Sequence, residues 1–209
     1  MKITVLGASG RIGTLAVRDA LARGWHVTAV VRDPARLSVA SHPRLDVAVH
    51  ALDDPALASA LQGRDAVVLA LGARDRRPTT VNADGARAVV SALRGSDTRF
   101  VAVSAAGLKT DGDGFVTRFL VKPLLGAVLR NGFADLLVME STIKAADVAW
   151  TIVRPPRLTD GPATGRVQVN TAGPVRGSFS ISRADVASFL LDAADATGLV
   201  RTTAAIARR

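Results

Sequence analysis

Short apolar runs alternate with amphipathic stretches from the first residues of the chain. Ile3–Leu6 carries apolar residues toward both faces of an extended segment, as a strand covered on two sides does. Arg11–Arg23 places Ile12, Leu15, Ala16, Ala20 and Leu21 along one helical stripe and meets a stop at Gly24. The pattern then predicts strands at His26–Val31, Leu45–Val49, Ala66–Leu71, Arg99–Val103 and Trp150–Val153, the last halted by Pro155-Pro156, with a closing strand at Arg201–Ala204. A helix is predicted from Asp54, as N-cap with Pro55 at the first helical position, to about Leu61. Others are predicted over Thr79–Leu93, Asp135–Ala146 and Asp185–Ala194.

Strands that alternate with helices are joined by crossovers, and crossovers give a parallel sheet covered by helices on both faces. The expectation is a single α/β domain over residues 1–209: a doubly wound, mostly parallel sheet with a small substrate-covering C-terminal part. No internal repeat or low-complexity linker divides it. The Gly- and Pro-rich stretch from Pro155 to Gly177 is longer than an ordinary connection, and long loops in compact domains are commonly functional. It is expected to cover the substrate.

The sharpest local signal is Gly7-Ala8-Ser9-Gly10-Arg11-Ile12-Gly13, between a predicted strand and a predicted helix. Gly7 permits a tight exit from the strand, Gly10 a close backbone approach to a pyrophosphate, and Gly13 close packing of helix on sheet. The helix N-terminus offers unpaired N–H groups and partial positive charge to the phosphates. The first spacing is one residue longer than in the common dinucleotide fingerprint. The second strand ends Val30-Val31-Arg32-Asp33. An acid at that point holds a ribose 2′-OH, whereas an Arg accommodates a 2′-phosphate. Arg32, with Arg11 at the crown of the loop, points to NADP(H); the alternative is that Arg32 is ordinary surface charge. Asp33 reads as the start of a turn with Pro34.

Composition narrows the chemistry. The chain has no Cys, which excludes disulfides, cysteine nucleophiles, Cys-ligated zinc and iron–sulfur clusters and suits a reducing compartment. His26, His42 and His50 lack ligand spacing, so no metal is expected. Net charge is +9, Arg dominates the basic set, and Glu140 is the only Glu. The Arg residues are scattered rather than gathered in a stripe with aromatics, so they read as a solvated surface and no nucleic-acid partner is expected. The most apolar later stretch, Phe119–Leu129, is interrupted by Lys122, Pro123 and Gly126 and is too short to span a bilayer. The first apolar run is broken too soon by Ser9 and Arg11 for a signal peptide. A cytoplasmic protein without a membrane partner is expected, either a monomer or a homodimer that uses Val121–Leu129 as a contact.

Gly7–Gly13, Val31-Arg32-Asp33, Asp65-Ala66-Val67-Val68 and Ala70-Leu71-Gly72-Ala73 together resemble small atypical short-chain dehydrogenases with NAD(P)H-binding, NmrA-like, Rossmann-type folds. The likeness is closest to the biliverdin-IXβ reductase/flavin reductase family. Arg74–Val90, Thr151–Gly165 and Ile181–Ala187 extend it over nearly the whole chain. The resemblance implies that Gly7, Ala8, Ser9, Gly10, Arg11, Ile12, Gly13, Arg32, Leu52, Leu71, Gly72, Ala73, Ser104 and Pro155 surround the nucleotide. Relatives often carry Gly-Asp after the third strand, where this chain has His50 and Ala51; Asp53 is the candidate to compensate. Larger short-chain dehydrogenases use Tyr-x-x-x-Lys to deliver a proton. This chain has no Tyr, and the residue four before Lys144 is Glu140, so that pair is excluded and Lys144 reads as helix surface.

Without such a donor, simple ketones are poor substrates, because hydride arrival at a ketone needs a proton for the alkoxide. Planar conjugated acceptors such as flavins, quinones or linear tetrapyrroles delocalise the incoming pair and take their proton from solvent. The expected function is an NADPH-dependent reductase of such a small molecule. Two other readings stand beside it: a non-catalytic, NADP-binding redox-sensing regulator, and an auxiliary quinone reductase in a biosynthetic pathway. Ser104, at the end of the fifth strand, is the candidate catalytic residue beside the nicotinamide, or else a hydroxyl that caps the strand. Arg154, Arg157 and Arg176 flank the expected cover and are candidates to hold acidic groups of the substrate, Arg157 and Arg176 above all, the alternative being surface charge. Met139 and the Phe115–Leu129 segment are candidates for an apolar wall over the acceptor, or for core.

Overall fold

In the computed structural model Ile3, Val5 and Leu6 are completely buried, because the strand that carries them has a neighbour on each side and helices on both faces. The structure describes residues 1–72, 77–108 and 122–209, and of 122–131 the backbone only. In chain order the elements are β1 (Lys2–Leu6), α1 (Arg11–Ala22), β2 (His26–Val31), β3 (Leu45–Val49), α2 (Leu57–Leu61), β4 (Ala66–Leu69), α3 (Val81–Ala92) and β5 (Arg99–Val103). After these come α4 (Lys122–Lys144), β6 (Ala149–Arg154), β7 (Arg157–Thr159), β8 (Val167–Asn170), β9 (Ser180–Ser182), α5 (Arg183–Asp195) and β10 (Thr202–Arg208).

Eight strands form one sheet in the order β3-β2-β1-β4-β5-β6-β10-β8, and β7 pairs with β9 in a separate two-stranded ribbon. Every pairing in the large sheet is parallel except that of β10 with β8. Ile3 stands opposite Val27 on one side and Ala66 on the other. Alternate residues of β1 feed two cores. Ile3 and Val5 join Val17, Val186 and Leu190 under α1 and α5, while Leu6 joins Leu61, Ala86, Met139 and Ile143 under α2, α3 and α4. The strand order reverses between β1 and β4, and a crevice opens there at the carboxyl ends of the strands.

Several boundaries move for local reasons. The Asp54 carboxylate accepts a hydrogen bond from the Ala56 N–H at 2.8 Å, which closes a turn first, so α2 begins at Leu57 rather than at Pro55. The helix predicted from Asp135 starts far earlier, at Lys122. Pro123 lies in the first turn of this helix, where its missing N–H costs no intrahelical bond. The stretch from Pro155 to Gly177 is not a structureless loop, since it holds β7 and β8, and β8 joins the large sheet through β10. It is also tied down: Asp185 accepts the N–H groups of Thr164 and Gly165 at 2.7 and 3.0 Å while pairing with Ser182 in the N-cap of α5. The apolar wall and dimer contact expected at Phe115–Leu129 lie outside the residues whose side chains are described.

Candidate functional site

The glycine turn is built so that no larger residue fits. Gly7 leaves β1 at φ +81, a left-handed conformation that favours glycine. A Cβ there would lie 2.5 Å from the Ala70 carbonyl oxygen, and a Cβ on Gly13 would lie 2.1 Å from that of Gly7. The Gly10 N–H donates to the Gly7 carbonyl at 2.8 Å, and the Thr14 hydroxyl donates to that of Ala8 at 2.9 Å, which fixes the curve of the loop. No side chain caps α1 at Gly10, so among the described residues the first N–H groups of this helix remain free for an anion. The fit to a pyrophosphate follows from the bare glycine backbone together with the free helix N-terminus.

From this turn a cleft of about 720 Å³ runs along the carboxyl edge of the sheet. Its outer end is lined by Arg32, Asp33, His50 and Leu52, its floor by Gly7, Gly10, Ala70 and Leu71, and its inner end by Asn82, Ser104, Phe133, Leu136 and Leu158. The Asp33 carboxylate accepts the Ala35 N–H at 3.1 Å and shapes the turn with Pro34. Arg32 is exposed. At the mouth Arg11 pairs with Asp160, which also holds Arg183 at 2.9 Å, so the segment after β7 is clasped to the crown of the glycine turn.

The inner end carries the least expected chemistry. Glu140, on α4, is 3% exposed. Its Oε1 accepts the Ser104 hydroxyl at 2.7 Å and Arg154 Nε at 2.7 Å, and its Oε2 accepts Lys144 Nζ at 2.8 Å and the second arm of Arg154. Burial pushes the Glu140 carboxyl up, but the hydrogen bonds from Arg154, Lys144 and Ser104 and the charge of Arg154 prevail and hold it down at about 2. A buried carboxylate is retained here because it is fully satisfied. One and a half turns earlier on α4, buried Asp135 accepts the backbone N–H groups of Asn82 and Ala83 at 3.0 and 2.9 Å and Asn82 Nδ2 at 2.8 Å.

The cleft brings together most of the residues singled out in the sequence. Gly7, Ser9, Gly10, Arg11, Ile12, Arg32, Leu52, Leu71, Gly72 and Ser104 all line it. Ala8 and Gly13 are buried behind the turn, and Ala73 lies outside the described residues. Asp53 is exposed in a neighbouring hollow with Arg32 and Thr80 and does not line the main cleft. Pro155 is buried and accepts the Ala106 N–H at 2.8 Å without lining the cleft. Three expected substrate contacts are corrected. Met139 is completely buried in the core under α4, so Phe133 and Leu136 form the apolar wall in its place. Arg157 and Arg176 are exposed and line no part of the cleft. Lys144 is no idle surface charge, because its ammonium holds Glu140. Glu140, Asn82, Asp135, Phe133 and Leu136 were not assigned to the site, and Arg154, expected to hold an acidic group of the substrate, is bound to Glu140 instead. The available signal was the only Glu of an Arg-rich chain, set at helical spacing from Phe133 and Leu136 on one face of α4.

The family model for NAD(P)H-binding proteins matches residues 7–197. YwnB, an uncharacterized protein of Bacillus subtilis, is 30% identical over 202 residues, covering 92% of this chain and 91% of that one. Among solved structures, a candidate NADH-flavin reductase from Streptococcus pneumoniae superposes with a TM-score of 0.79 at 22% identity, over all of both chains. ChuY, an anaerobilin reductase from Escherichia coli O157:H7, does so with a TM-score of 0.78 at 22% identity, over 100% of this chain and 97% of that one. Both structures share the fold described above.

Proposed function

Because the chain belongs to the NAD(P)H-binding family, we propose that it is an NADPH-dependent reductase of a small, planar, conjugated acceptor. The whole chain would act as one nucleotide-binding unit. The observation that carries the reading is the state of Glu140. It stands four residues before Lys144, where larger short-chain dehydrogenases place a proton-donating Tyr, and it is an ionised, four-fold hydrogen-bonded carboxylate. Held at about 2, it has no proton to give near neutral pH. An acceptor that spreads the incoming electron pair over its own conjugated system is the kind of substrate that such a site serves.

When bound, the reduced nucleotide supplies a hydride, and a proton from solvent completes the two-electron reduction of the acceptor. The protein's own residues supply placement. Gly7, Gly10 and the first turn of α1 would hold the diphosphate and Arg32 would meet a 2′-phosphate, the reading that favours NADPH. Phe133, Leu136 and Leu158 offer an apolar surface to a flat ring system and keep water from the reacting face. The candidate flavin reductase and the anaerobilin reductase of the same fold act on acceptors of this class by their descriptions, which accords with the reading. A chain without Cys suits the cytoplasm.

The test is NADPH oxidation, followed by absorbance, with riboflavin, a naphthoquinone and biliverdin as acceptors and NADH alongside. Turnover above the uncatalysed rate with at least one acceptor is expected. Nucleotide binding without turnover on any of them would overturn the assignment and favour a nucleotide-sensing regulator.

A further inference from the structure

Two acids on α4 take hydrogen-bond donors away from the inner end of the cleft. The Ser104 hydroxyl has one proton, and the ionised Glu140 beside it can only accept, so that proton is committed at 2.7 Å. No other described group donates to Ser104 Oγ, and its lone pairs are what it has left to offer a ligand. Asn82 is treated the same way. Its Nδ2 donates to Asp135, which turns the amide oxygen away, and Asn82 Oδ1 is buried without a partner among the described residues, in a side chain only 4% exposed. An unpaired acceptor beside a ligand cleft costs stability until a donor meets it. Both residues line the same cleft.

We infer that the inner end of the cleft is a donor-reading site, in which Glu140 and Asp135 act as positioning residues that fix Ser104 and Asn82 as hydrogen-bond acceptors. The ligand it takes presents N–H groups. The carboxamide of the nicotinamide ring and the ring N–H of a flavin-type acceptor both fit that chemistry, as do the ring N–H groups of a linear tetrapyrrole. A quinone has only carbonyl oxygens to offer and gains nothing from such a site. The inference rests on the function proposed above only in placing the nicotinamide end of the nucleotide here. It reverses the simpler expectation for Ser104, a hydroxyl that donates to a substrate carbonyl.

The test uses equilibrium binding to the full chain and no turnover. One arm compares NADP with its 3-acetylpyridine analogue, in which a methyl group replaces the carboxamide nitrogen. The other compares lumiflavin with N3-methyl-lumiflavin on protein saturated with NADP. In at least one arm the methylated compound should bind about fivefold to tenfold more weakly to the wild-type protein. The gap should narrow in Ser104→Ala, and the arm that shows it identifies the source. Glu140→Gln can donate its amide proton to Ser104 Oγ and release the hydroxyl toward the cleft. It should narrow the gap although Ser104 is untouched, which a merely structural role would not do. If that variant fails to fold, the wild type and Ser104→Ala suffice. Equal binding of both pairs to the wild type, or a gap unchanged in Ser104→Ala, overturns the inference. A lack of reductase activity would sink the proposed function and leave this result standing.

Discussion

Replacing Glu140 by Leu removes a counter-charge that two cations share inside the protein. The Arg154 side chain is 14% exposed and bound through both arms to that single carboxylate. Holding the carboxyl at about 2, against an ordinary value of 4.5, corresponds to roughly 3 kcal/mol in favour of the folded, ionised form. Stranding a buried guanidinium adds to that, so Glu140→Leu should lose about 3–5 kcal/mol in urea unfolding at pH 7. The pH dependence is distinctive. Between pH 4.5 and 2 the unfolded chain binds a proton at Glu140 that the folded chain resists, so unfolding takes up protons and stability falls as the solution is acidified. This contribution is complete above 4.5 and lost as pH drops through about 2, and the gap between wild type and variant should close over that window. Adding Arg154→Met to Glu140→Leu should recover much of the loss, because a matched apolar pair leaves no stranded charge. A single variant within about 1 kcal/mol of wild type at pH 7, or a gap that stays constant from pH 4.5 to 2, would refute this account of the cluster.

Gly13→Ala forces a methyl group against the Gly7 carbonyl. It should weaken NADP binding by at least roughly tenfold in a titration, whereas affinity within twofold of wild type would count against the cradle. Arg32→Asp should erode the preference for NADPH over NADH in kcat/KM, and an unmoved ratio would remove the 2′-phosphate assignment. Asp135→Ala leaves two backbone N–H groups and an amide without their acceptor, and should cost about 2–3 kcal/mol in denaturant unfolding. Asp160→Ala removes a carboxylate that is itself open to solvent, from an exposed pair with Arg11 and a second pair with the largely covered Arg183, so its Tm should stay within a few degrees of wild type.

The layout of the fold could be read from the chain because parallel strands buried on both faces leave continuous apolar runs, as in Ile3–Leu6 and Ala66–Leu71, and the glycine turn follows directly on the first of them. The floor of the cleft was legible for the same reason: Gly7, Gly10 and Gly13 answer to backbone geometry, which is local. The inner end was not. Ser104 and Glu140 are separated by 36 positions, and Arg154 reaches Glu140 from a third element. Only the crossing of α4 over the ends of β5 and β6 joins them. Met139 and Leu136 differ by less than one turn, and an apolar stripe alone does not say which of them meets the core and which the cleft. The start of α4 stayed hidden because Pro123 breaks a helix interior but not a first turn.

The placement of β10 has a consequence for how the chain can be cut. Its seven residues lie between β6 and β8 rather than at the rim. A deletion from Thr202 onward would therefore detach two strands at once, since β8 has no other partner in the sheet. The flank of β6 would be left bare, with unpaired amides and carbonyls ready to recruit another molecule. Removing Thr202–Arg208 should therefore promote aggregation.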